Sequence, residues 1–164
     1  MIAKRKSFEP GHRRKFLVVI DDTPECDCAL VYAAKRAERT GGALALLHVI
    51  VPESAQQWQG VEEIMRAEAF EDARAILGRA VDRAREIARI EPEILIREGQ
   101  RADEVLKLIL DDEDLAILVL AAEPGTNGPG PLVSAIVGRS AGNFPIPITI
   151  VPGHLDTGAI LTMA

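Results

Sequence analysis

Short apolar runs alternate with helical segments along almost the whole chain. Runs of Val, Ile, Leu and Ala predict buried strands at residues 16–20, 44–51, 93–98, 115–120 and 146–151. Between these runs apolar residues recur at helical spacing, most extensively over residues 61–88. This order predicts one α/β domain, an open five-stranded parallel sheet with helices on both faces. The low aromatic content, 4% against 48% hydrophobic residues, suits such a sheet.

The two ends of the chain differ from its middle. Basic residues are dense near the start, at Lys4, Arg5, Lys6, Arg13 and Arg14. We expect residues 1–14 to form a basic, flexible N-terminal tail, because no apolar pattern would fold them. Residues 15–152 are predicted to form the domain, and residues 153–164 a C-terminal tail.

Charge and cysteine content exclude several classes of protein. The net charge of −6 argues against nucleic acid as a partner. No apolar run reaches the roughly 18 residues that cross a bilayer, so no membrane contact is expected. Cys26 and Cys28 do not face each other on a helix, which argues against a metal site and a disulfide framework. We expect a cytoplasmic location, since both thiols suit a reducing compartment.

Candidate binding residues lie at the ends of three of the predicted strands. Asp21 follows the first strand, Val49 lies near the end of the second, and the fourth is followed by Gly125-Thr126-Asn127-Gly128 and then Gly138-Arg139-Ser140. Glycine lets the backbone approach a ligand closely, and successive N–H groups attract anions. Ligands of open α/β sheets bind at the carboxyl ends of the strands. These segments therefore predict a phosphate-binding site.

The pattern G-x2-G-x9-G after a fourth strand resembles that of the universal stress protein family. The segment FLVVIDDTPECDCALVYAAKRAERTGGALALLHVI also resembles the family's opening, with an aspartate after strand one and LLHV in strand two. The resemblance covers about residues 15–151. It implies a Rossmann-like, adenine nucleotide α-hydrolase-like fold that is commonly dimeric, with or without bound ATP.

The resemblance also implies a role for each candidate residue. Asp21 would meet the adenosine moiety, Val49 would line the adenine, and Gly125, Gly128 and Gly138 would hold ribose and phosphates. The ligand would be ATP or another adenine nucleotide, with Mg²⁺. ATP-binding members have Ser or Thr after the last glycine, whereas this chain has Arg139 there and Ser140 one place later.

Several departures from the family pattern leave alternatives open. Arg139 could pair with phosphate, or it could fill the pocket or turn outward. Four residues separate the predicted strand end from Gly125, and one of them, Glu123, is negative. The glycine loop could be only a structured turn, Asp21 could only cap the first helix, and His48 could be a hydrogen-bonded core histidine.

The sequence favours ligand binding over catalysis. No Ser/His/Asp or Cys/His arrangement is evident from order or spacing, so we expect no enzymatic activity. The leading hypothesis is a stress-related regulatory protein that binds an adenine nucleotide. The alternative is a dimeric adaptor of the same fold that binds no nucleotide and acts on an unidentified protein partner. A homodimer is expected through the fifth strand, because a sheet edge invites pairing.

Overall fold

A computed structural model describes residues 4–52 and 61–164, with the backbone alone at Val61 and Arg139. The described residues form five strands and five α-helices in alternation. The strands are β1 (Lys15–Val19), β2 (Ala43–Ile50), β3 (Glu93–Glu98), β4 (Leu115–Ala122) and β5 (Ile148–Pro152). The helices are α1 (Cys26–Thr40), α2 (Val61–Ile87), α3 (Arg101–Asp111), α4 (Pro131–Ser140) and α5 (Thr157–Met163).

All five strands join one parallel sheet in the order β3-β2-β1-β4-β5. The chain moves outward from β1 to β3, then returns to β4 on the other side of β1. The strand order therefore reverses between β1 and β4, which is where open α/β sheets form a ligand crevice. The predicted fold class is confirmed, and β3 and β5 are the two edge strands.

Alternation along the strands divides the core into two layers. In β1, Val18 faces the layer under α1, α2 and α5, whereas Leu17 and Val19 face the layer under α3 and α4. Leu46 and Leu47 alternate in the same way in β2. Both faces are apolar because helices cover both, so the strands appear in the sequence as continuous apolar runs.

The strand boundaries correct two expectations. β4 extends to Ala122, so only Glu123 and Pro124 separate it from Gly125. Pro147 lies before β5 and not inside it, and its carbonyl still accepts a hydrogen bond from the Leu118 N–H at 3.0 Å. Proline lacks a donor but keeps its acceptor, so this position joins the ladder from one side.

The basic N-terminal segment packs on the end of α3. Arg5 Nη1 donates to the Ile109 carbonyl at 2.7 Å, and the buried Ser7 donates to the Asp114 carbonyl. Lys6 and His12 pair with Glu113 and Asp114. These contacts place basic groups on the carbonyl end of a helix and on an acidic turn, where positive charge is favourable. Of the expected flexible tail, residues 4–14 are thus docked, and residues 1–3 lie outside the described residues.

Part of the expected C-terminal tail is the helix α5. Asp156 caps it by accepting a hydrogen bond from the Ala159 N–H at 2.7 Å, and Ile160 is buried against α1. Arg83 of α2 donates to Thr157 and to Asp27, so one side chain links three helices. No helix in the described part of the chain is long and apolar enough to cross a membrane.

Candidate functional site

Asp21 lies at the carboxyl end of β1, one residue beyond Ile20. Its Oδ1 accepts hydrogen bonds from the Thr23 N–H at 3.0 Å and the Thr23 hydroxyl at 2.5 Å. Within the described residues its Oδ2 has no hydrogen-bond partner. Asp21 therefore shapes the turn with one carboxylate oxygen and keeps the other available for a ligand.

The start of α1 does not follow the expected capping pattern. The helix begins at Cys26, after Glu25, and no side chain caps its first turn. The Thr23 side chain also bonds within the turn closed by Asp21, and it does not cap α1. Asp21 itself bonds within that turn and not to a helical N–H, so it does not cap α1.

His48 holds the end of β1 in place. Its Nδ1 lies 2.7 Å from the carbonyl oxygen of Ile20, the residue before Asp21. Because a carbonyl only accepts, Nδ1 carries the proton. His48 is half-buried and hydrogen-bonded to the backbone, in agreement with the interpretation as a hydrogen-bonded core histidine. The bond holds Ile20, the residue before Asp21, in place.

A cleft opens at the β1/β4 switch point, beside Asp21. Its floor is apolar and comes from the ends of these strands and from the helices that flank them. Its volume is about 90 Å³, below the roughly 300–1,000 Å³ of pockets that enclose a drug-sized ligand. Its lining includes Val19, Leu120 and Ala121 from the sheet, Cys26 and Ala29 from α1, and Leu132 and Val133 from α4.

The glycine loop forms the outer rim of this cleft. The Glu123 N–H donates to the Pro129 carbonyl at 3.0 Å and closes the loop. Gly125 and Gly128 adopt positive φ, are exposed, and do not line the cleft. Gly130, between two prolines, has φ 100° and ψ 161°, a conformation open essentially only to glycine, and it does line the cleft.

The glycine that precedes α4 is Gly130, not Gly138. Gly138, Arg139 and Ser140 lie in the last turn of α4, about 12 Å along the helix from Gly130 at the usual rise. Because α4 starts at the carboxyl edge and returns across the sheet, its last turn points away from the cleft. Gly138 and Ser140 are therefore not brought to Asp21, and the side chain of Arg139 lies outside the described residues.

The residue that follows this glycine is Pro131, which offers no hydroxyl and no N–H. Proline suits the first position of α4, because its φ is helical and an N–H at that position would have no partner within the helix. The start of α4 therefore offers a ligand neither a hydroxyl nor an N–H from Pro131.

Val49 is placed in the core and not in the cleft wall. It is 2% exposed and packs in the layer under α3 and α4. Its burial follows from the period of two in β2, which turns Val49 to the same face as Leu47 and Ala45. Among the predicted site residues whose side chains the structure describes, Asp21 alone lines the cleft.

Two residues that line the cleft were missed in the sequence. Arg101 is the first residue of α3, and Gly130 precedes α4. The signal for Arg101 was present: Gly99-Gln100-Arg101 follows β3, so its segment leaves the same edge of the sheet as Asp21. For Gly130 the signal was the following Pro131, which marks a helix start.

The charged groups of the cleft are mostly negative. Asp21, Asp22 and Glu25 face one cation, Arg101. Burial raises the pKa of the Cys26 thiol to about 12, so this cleft residue is a neutral thiol at physiological pH and a poor nucleophile. Across residues 4–52 and 61–164 no group of three metal-ligating side chains comes together.

Comparison with known proteins agrees with this architecture. The Universal stress protein family matches residues 12–152. Universal stress protein UspA from Lactobacillus plantarum is 17% identical, with a TM-score of 0.70 over 84% of this chain and 97% of its own. No curated protein matches the chain.

Two further similar structures hold nucleotides. The universal stress protein from Archaeoglobus fulgidus in complex with dAMP is 16% identical, with a TM-score of 0.59 over 92% of this chain and 99% of its own. A family protein from Arabidopsis thaliana with AMP bound is 18% identical, with a TM-score of 0.57 over 85% and 91%. At these identities the structures establish a shared fold. Taken with the family match over most of its length, they show that the chain belongs to the universal stress protein family.

Proposed function

We propose that this protein binds an adenine nucleotide in the β1/β4 cleft as a regulatory ligand, with little or no turnover. The observation that carries the proposal is the position of Asp21 in the wall of a cleft at the switch point. Its Oδ2 is available to accept hydrogen bonds from the two hydroxyls of a ribose, a role that suits an ionised carboxylate.

The rest of the cleft supports the same ligand. The apolar floor suits a base, and the exposed loop from Glu123 to Gly130 suits groups that stay hydrated. Since the enclosed volume is about 90 Å³, part of a nucleotide would lie over this rim. Related structures contain dAMP, AMP and, in a third case, cAMP, each of which joins adenine, ribose and one phosphate.

The proposal of no turnover has its own support. Cys26 is a neutral thiol, and the Thr23 hydroxyl, which also lines the cleft, donates to Asp21 within the turn after β1. The described residues offer no cluster for a metal ion, so any Mg²⁺ would have to arrive with the nucleotide.

The test is calorimetric titration with adenosine and adenine nucleotides, with and without Mg²⁺. Asp21→Ala should weaken binding of adenosine itself by about 1–3 kcal/mol, the usual scale for hydrogen bonds to a charged group. Asp72→Ala is a matched control, because Asp72 is exposed on α2 and outside the cleft. An unchanged affinity in Asp21→Ala would mean that Asp21 only stabilises the turn in which it accepts hydrogen bonds from Thr23.

The second candidate function is the dimeric adaptor without nucleotide. The specific observation in its favour is that Gly138 and Ser140, expected at the phosphate, lie in the last turn of α4 and do not line the cleft. No binding of adenosine or any adenine nucleotide at millimolar concentration would favour the adaptor. In both cases we propose a homodimer through β5, whose outer edge has no strand partner among the described residues.

A further inference from the structure

The cleft contains an arginine with no evident structural task. Arg101 is exposed at the start of α3, and its side chain has no ion pair or hydrogen bond within the described residues. By contrast, Arg66, Arg83 and Arg85 each pair with a carboxylate. An arginine that lines a cleft and stays unpaired is available for a ligand.

The neighbours of Arg101 do not explain its presence. Asp21, Asp22 and Glu25 lie in the same cleft, yet none of them pairs with its guanidinium. The carboxylate of Asp21 is directed to Thr23 instead. A guanidinium presents several N–H donors in a planar fork that matches phosphate oxygens, so an anionic ligand group would complete this site.

We propose that Arg101 binds the phosphate of the nucleotide and makes the cleft selective for one phosphate over three. This inference rests on the proposed function. It names a cation for the phosphate at a helix start where Pro131 offers neither a hydroxyl nor an N–H. Arg101 and Gly130 both line the cleft, whereas Glu123 does not, so a phosphate inside the cleft would receive the positive charge of the guanidinium.

The residues next to Gly130 explain the selectivity for one phosphate. Pro131 provides no N–H for a second phosphate. The carboxylate of Glu123 lies next to Gly130, 3.8 Å from the point where a Cβ on Gly130 would be. A chain of phosphates along the loop would therefore meet the negative charge of Glu123 and find no N–H at Pro129 or Pro131, a combination that disfavours additional anionic groups.

The test compares adenosine, AMP and ATP by titration calorimetry on the wild-type protein, Arg101→Gln and Arg36→Gln. Arg36 is an exposed arginine on α1 outside the cleft, so its replacement removes the same charge elsewhere. In the wild type and in Arg36→Gln, AMP should bind about tenfold more tightly than adenosine, and more tightly than ATP. In Arg101→Gln the affinity for adenosine should be retained and the advantage of AMP lost.

Each other outcome contradicts a specific part of the proposal. Equal affinities for AMP and adenosine in the wild type, or an intact AMP advantage in Arg101→Gln, would overturn the role of Arg101. Tighter binding of ATP than AMP would overturn the selectivity. If adenosine binds and only these ratios fail, the proposed function stands, whereas no binding of any of the three overturns both. Circular dichroism of Arg101→Gln verifies that this surface variant is folded.

Discussion

Gly153 is the position where the structure makes the sharpest prediction about stability. It follows β5, and its N–H donates to the Ala122 carbonyl at 2.9 Å. A Cβ at Gly153 would lie 2.3 Å from that oxygen, 2.7 Å from the Cβ of Glu25 and 3.0 Å from the Cδ of Pro124. The first of these atoms is backbone and cannot move alone, so Gly153→Ala must shift one of three segments next to the cleft.

The expected cost is a sum of two effects. Adding a methyl group to a packed site costs about 1–3 kcal/mol. Moving the backbone also weakens the hydrogen bond between Gly153 and Ala122, worth about 1 kcal/mol. Gly153→Ala should therefore lower the free energy of unfolding by about 2–4 kcal/mol. For a domain of this size that corresponds to a fall in Tm of roughly 5–15 °C.

Gly78→Ala is the matched control, because the same substitution should have the opposite sign. Gly78 lies inside α2, and a Cβ there would have no neighbour within 4 Å. Alanine should stabilise the helix by about 0.5–1 kcal/mol. Urea and thermal unfolding followed by circular dichroism measure both variants. The packing argument is refuted if Gly153→Ala is as stable as the wild type while Gly78→Ala shows its expected gain.

Three further predictions concern the sheet edge, the buried thiol and the histidine. Ile150→Lys on the outer strand β5, where Ile150 is 40% exposed, should convert the proposed dimer to a monomer in sedimentation experiments at micromolar concentration, because a lysine opposes edge pairing. Cys26 should resist alkylation at pH 8 until the protein unfolds, because burial raises its pKa to about 12. The folded state favours the neutral thiol. The contribution of Cys26 to the free energy of unfolding is therefore present below the pKa of the unfolded thiol, and it is lost as the pH rises towards 12. His48→Ala should cost about 1–3 kcal/mol in denaturant unfolding, because the Ile20 carbonyl loses its donor.

Each of these predictions has a control and a contradicting result. Ile64→Lys changes another exposed isoleucine, on α2, and should leave the oligomeric state unchanged. A wild-type protein that sediments as a monomer rejects the dimer. Rapid labelling of native Cys26 at pH 8, located by peptide mass mapping, would contradict the pKa argument. Wild-type stability in His48→Ala would show that water replaces the imidazole.

Much of the fold could be predicted from the sequence, because burial leaves a local pattern. The apolar runs around Leu17, Leu46 and Leu118 predicted buried strands, and Gly41 ended α1 with a positive φ of 70° as glycine allows. Asp21 could be placed at the strand edge because it follows an apolar run directly. The predictions for α5 and for residues 4–14 differed from the structure, since their order comes from contacts with distant residues.

The sequence by itself determined the α/β class, the parallel sheet and the position of Asp21 at its carboxyl edge. These depend on alternation, apolar period and chain order, all of which are local. Only the tertiary structure decided which glycine begins α4, that Val49 is buried, and that Arg101 lines the same cleft as Asp21. The spacing of glycines along the chain predicted Gly138 as a phosphate-binding residue. The residues that line the cleft are instead set by the strand order and by where each helix starts. Those depend on the packing of residues that are eighty or more positions apart, such as Asp21 and Arg101.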